Sequence, residues 1–98
     1  MVRRAGRADG NQAEIVGALR GIPECSVLVL SAVGEGCPDI MVGYRGFNFL
    51  FEIKDPDQPL HRHELTDEQR RFHGEWRGQV QKVKYLKEII TAMTGWNP

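Results

Sequence analysis

A chain of 98 residues, 41% hydrophobic and 27% charged, has the size and composition of one globular domain whose core leaves little surplus stability. Thirteen basic and thirteen acidic residues cancel to zero net charge, so a single copy should hold duplex nucleic acid only weakly through charge alone. No apolar run approaches membrane-spanning length and no secretory leader pattern stands at the N-terminus. No membrane partner and a cytoplasmic location are therefore expected, with Cys25 and Cys37, which lack CxxC spacing, as free thiols.

In chain order, residues 1–10 are rich in arginine and glycine, and Arg3, Arg4 and Arg7 make an expected flexible basic arm. Asn11 with Glu14 fits a capping box. Ile15, Ala18, Leu19 and Ile22 recur at helical spacing, with Gly21-Ile22-Pro23 ending the element. Cys25 to Ala32 is apolar and β-branched enough for a buried strand, and Val33 to Pro38 carries two glycines and reads as a loop. Ile40 to Tyr44, the pair Arg45-Gly46 and the segment Phe47 to Lys54 then predict a hairpin.

Its second strand alternates strictly: Phe47, Phe49, Phe51 and Ile53 on one side, Asn48, Leu50, Glu52 and Lys54 on the other. Asp55 to Leu65, with two prolines and no period, is a long connection beside that strand's end. Thr66 and Gln69 form a second capping box, opening a helix expected to run to about Arg77 and stop at Gly78. Val80 and Val83 mark a short strand, and Leu86, Ile89, Ile90 and Met93 a closing helix. The fold expected is α/β: a mixed four-stranded sheet flanked by helices, in the order α-β-β-β-α-β-α, as a single domain over residues 1–98.

The hairpin gives the spacing its chemistry. Asp39 stands at the start of one strand and Glu52 near the end of its antiparallel partner, with twelve residues between them, so the two carboxylates meet at one end. Glu52 and Lys54 share a face with side chains about 7 Å apart at the base. Two carboxylates and an amine at one point suit metal-assisted phosphodiester hydrolysis. The competing reading of Glu52 and Lys54 is a charge pair on a solvated face.

With Glu14 in the first helix, the segment Gly36-Cys37-Pro38-Asp39-Ile40, the segment Phe51-Glu52-Ile53-Lys54, and Gln69 after a Leu-Thr helix start, the chain resembles the PD-(D/E)xK nuclease superfamily and, within it, the virus-type replication-repair nucleases (VRR-NUC). The resemblance is nearly full length. It implies a restriction-endonuclease-like core and catalytic roles for Asp39, Glu52, Lys54, Glu14 and Gln69. The small stand-alone members come largely from phages and are viewed as homodimeric, metal-dependent endonucleases acting on branched DNA such as four-way junctions; for a phage-encoded chain the location implied is the bacterial host cytoplasm.

The ligand set expected on that basis is Asp39, Glu52 and the Ile53 backbone carbonyl, with Glu14 direct or through water, around Mg2+ for which Mn2+ can substitute. DNA contacts are assigned to Arg3, Arg4, Arg7, His61, Arg62 and His63, and to Lys82 and Lys84, which cluster with Lys87. His61, His63 and His73 match no common zinc spacing. Trp76 and Trp96 are expected in a core or an interface. The alternatives from other classes are a non-catalytic nucleic-acid-binding phage accessory protein and a nicking or restriction-like endonuclease of the same superfamily.

Overall fold

The computed structural model describes residues 10–95; the basic arm with Arg3, Arg4 and Arg7, and Trp96, lie outside them. The elements are α1 (Gln12–Arg20), β1 (Cys25–Val29), β2 (Ile40–Tyr44), β3 (Phe47–Ile53), a 3-10 turn (Leu60–His63), α2 (Asp67–Glu75), β4 (Gln81–Val83) and α3 (Leu86–Thr94). The sheet runs β1-β2-β3-β4, antiparallel except for β4, which lies parallel to β3. This is the expected mixed sheet in the expected order, with the 3-10 turn added inside the long connection.

One sheet face carries the core. Ile40, Val42, Phe49, Phe51, Ile53 and Val83 pack beneath Ile15, Val16 and Leu19 of α1 and Ile89 and Met93 of α3, as the two apolar periodicities require. The hairpin turn has positive φ at both residues, 50° at Arg45 and 90° at Gly46, the two-residue geometry whose twist matches its strands. It pins the register that sets Ile40 opposite Phe51. At the other edge of β3, the Gln79 side chain extends the ladder: Leu50 N donates to its Oε1 at 2.6 Å and its Nε2 donates to Leu50 O at 3.1 Å.

Three expectations are corrected. Asn11 makes no side-chain cap on α1; its Nδ2 instead donates to the carbonyls of Lys54 (3.4 Å) and Lys84 (3.2 Å), tying the helix start to the ends of β3 and β4. The first strand is shorter than Cys25 to Ala32 and is not buried, because an edge strand has a neighbour on one side only; Leu28 and Val29 are exposed. Helix α2 ends at Glu75, since Trp76 turns into extended backbone and stacks on Phe72 with ring centroids 5.1 Å apart. The competing reading of Glu52 and Lys54 as a pair on a solvated face is excluded, because both are buried, as is Leu50 beside them. No helix among the described residues is long and apolar enough to cross a membrane.

Candidate active site

On the face opposite the core, the strand register lines up a charged row. Leu30 N donates to Asp39 O at 2.7 Å, so the β1–β2 ladder continues past its last paired strand residue to Asp39. Extending Ile40 opposite Phe51 by one step sets Asp39 across from Glu52, and Glu52 is in turn opposite Lys82 on β4. Directly opposed side chains have Cβ atoms about 5 Å apart. The sheet thus places carboxylate, carboxylate and amine side by side across three strands.

Asp39 is fixed by the backbone it faces: its Oδ2 accepts from Ile53 N at 2.8 Å. A strand residue points its N–H and C=O to the same side, so the Ile53 carbonyl is turned toward the Asp39 edge as well. Glu52 and Lys54 form a buried ion pair, Nζ to Oε2 3.8 Å, with side chains only 4% and 9% exposed. Two charges so far from water are costly unless hydrogen bonds compensate them. Gln69 supplies these, its Oε1 accepting from Lys54 Nζ (2.9 Å) and its Nε2 donating to Glu52 Oε2 (3.1 Å).

The same amide closes the α2 capping box. Thr66 N donates to Gln69 Oε1 at 2.8 Å and Gln69 N donates to Thr66 Oγ1 at 3.2 Å. Capping and site contact, alternatives for this residue in the sequence, are therefore made together. The Gly36 segment positions α2: with φ +78° it passes so close to the helix that a Cβ would run into the Glu68 carbonyl. A side chain there would push Gln69 off the sheet.

Two further residues belong to the electrostatic surroundings. The Cys37 thiol has its pKa raised by burial, then by Glu52 and Asp39. His73, one helical turn after Gln69, has its pKa lowered by burial, then by Lys54 and Lys82, and its Nε2 is buried without a hydrogen-bond partner among the described residues. The i, i+4 spacing of Gln69 and His73 is the sequence signal that points to the latter. A search for zinc spacing misses it.

The remaining expected site residues are dispersed. Glu14 is exposed on α1 and lines a separate groove with Asn11, Asp55, Asp57, Lys84 and Tyr85. His63 is buried with its Nε2 2.7 Å from Gln58 O, so it braces the connection and is no exposed phosphate contact. Lys82 donates to His63 O at 2.9 Å and is half-buried rather than a free surface cation. Lys84 is half-buried and Lys87 lies over the Tyr85 ring. His61 and Arg62 are exposed.

Among the described residues no three or more His, Cys, Asp or Glu side chains converge as a metal cluster. The donor chemistry at the end of the hairpin still suits a hard divalent cation, because two opposed carboxylates and the adjacent Ile53 carbonyl offer oxygen only. No family model, curated protein or solved structure matches the chain.

Proposed function

We propose that this chain is a metal-dependent endodeoxyribonuclease with a restriction-endonuclease-like core, hydrolysing phosphodiester bonds in branched DNA, four-way junctions above all, as a homodimer. The observation that carries the reading is Asp39 across from Glu52, with Lys54 Nζ 3.8 Å from the Glu52 carboxylate. A stabilising surface pair would not require two buried charges on a strand face held by a third side chain. The motif resemblance points the same way.

In this reading Asp39, Glu52 and the Ile53 carbonyl would hold Mg2+, or Mn2+ in its place. Bound there, the cation would supply a water of lowered pKa and neutralise phosphate charge. Lys54 keeps an ammonium beside Glu52, where negative charge grows on the phosphoryl oxygens during attack. Gln69 holds Lys54 and Glu52 in fixed relation, so neither must reorganise when substrate arrives. Asp39 is oriented by the Ile53 N–H before any ligand binds.

Each chain carries one such site, and paired incisions across a two-fold junction need two in fixed relation, which a C2 dimer provides. DNA as substrate and two unpaired thiols are consistent with action in a bacterial host cytoplasm. The test is incubation with end-labelled linear, nicked, flap and four-way DNA in magnesium or manganese, beside light scattering of the protein. Cleavage concentrated on the branched substrates by a dimer is expected. A monomer that cuts nothing in either metal removes the proposal.

A further inference from the structure

We infer that the 3-10 turn Leu60–His63 is a DNA-opening wedge, in which Leu60 enters a disrupted base step at a branch point while His61 and Arg62 meet the flanking phosphates. DNA as the partner rests on the nuclease reading above. The wedge itself rests on how this turn is built. Leu60 is 80% exposed, the highest value among the exposed large hydrophobic side chains described.

A single exposed leucine is ordinary on a protein surface, but a leucine held rigidly outward is not explained by packing. Pro56 and Pro59 fix φ on the approach. Gln58 N donates to Asp55 O at 3.1 Å, Asp57 N donates to Asp55 Oδ1 at 2.9 Å, and Arg62 N donates to Pro59 O at 2.8 Å. Buried His63 anchors the turn from below through the Gln58 carbonyl, and Lys82 Nζ holds the His63 carbonyl at 2.9 Å. Ordering such a loop in a complex therefore sacrifices little entropy.

The brace also fixes where the turn stands. Lys82 is opposite Glu52 on the charged row, so the support of the wedge begins beside the candidate catalytic carboxylate. An apolar tip followed by exposed His61 and Arg62 matches DNA in both respects: aliphatic side chains part base steps, and N–H donors take phosphate oxygens without reading sequence. Unstacking is least costly where stacking is already broken. A wedge would accordingly select branches by shape rather than by base sequence.

The experiment places 2-aminopurine at the centre of a four-way DNA, or within an arm as control, and titrates the full-length protein in calcium while following fluorescence and anisotropy. The wild type should brighten the central probe and not the arm probe. Leu60→Ala, at a site too exposed to endanger folding, should lose the brightening and still bind; Leu60→Phe should retain it; Arg62→Ala should weaken binding to branched and linear DNA alike. Equal brightening by Leu60→Ala, or a bound wild type that leaves the central probe dark, overturns the wedge. Wild-type protein that brightens the probe but never cuts in magnesium or manganese keeps the wedge and removes the catalytic reading. Cutting with a dark probe does the reverse.

Discussion

Lys54 Nζ lies 2.9 Å from Gln69 Oε1 but 3.8 Å from Glu52 Oε2, so the buried pair is held by an amide bridge more than by direct contact. Because Gln69 Oε1 also takes the Thr66 N–H, helix start and site share one hydrogen-bond network centred on Gln69, whose bonds polarise one another. Gln69→Ala leaves buried polar groups unmatched and is expected to lower stability by about 1–3 kcal/mol, with cleavage lost. Thr66→Ala removes only the cap, about 1 kcal/mol, and should still cleave. Denaturant unfolding beside a cleavage assay separates them; equal activity in the two variants would make Gln69 a cap and nothing else.

Asp39→Asn and Glu52→Gln are expected to abolish cleavage in folded proteins, since each keeps the shape and removes a negative oxygen. Lys54→Ala differs, because it strands the buried Glu52 charge; about 3–5 kcal/mol of stability should go with the activity. Chelator should stop the wild type, magnesium or manganese should restore it, and calcium should support binding without turnover. Undiminished cleavage in chelator, or by Asp39→Asn, would end the metal-site assignment.

Glu14 makes no cap, and its exposed position predicts that Glu14→Ala changes stability by less than about 0.5 kcal/mol. Its groove adjoins the end of β3 through Asp55 and through Asn11, which holds the Lys54 carbonyl. Because Glu14 lies outside the row of Asp39, Glu52 and Lys82, cleavage is expected to fall far less than in Asp39→Asn while the unfolding curve stays in place. A fully active Glu14→Ala protein would leave the site with two carboxylates.

The fold prefers neutral His73, because burial and then Lys54 and Lys82 lower its pKa from the ordinary 6.5. The resulting stability is complete above that value and is lost as pH falls through the lower folded value, where the unfolded chain binds the proton first. Denaturant midpoints taken between pH 8 and pH 5, at about half-unit steps, should decline below the ordinary value in the wild type. The decline should be smaller in His73→Asn; identical pH profiles would mean that His73 does not sense the two lysines.

The hairpin is legible in the amino-acid sequence because its determinants are local. Arg45-Gly46 admits positive φ at both turn positions, and alternation from Phe47 to Ile53 then leaves one register that buries Phe49, Phe51 and Ile53; Asp39 opposite Glu52 follows directly. The Thr66 and Gln69 box is equally local. What the linear pattern leaves open is where each polar side chain ends. Asn11 reads as a cap because its neighbour Glu14 stands at the right offset, yet its amide finds carbonyls 43 and 73 positions away.

Alternation places Glu52 and Lys54 on a polar face, but Gln69 arriving with α2 helps make buried charge tolerable there. Likewise His63 and Lys82 have the chemistry of phosphate contacts, and the folded connection joins them to each other instead. Backbone pairing depends on neighbours a few residues apart and on a period of two. Burial and side-chain partners depend on which distant element packs above, so only the tertiary structure decided them.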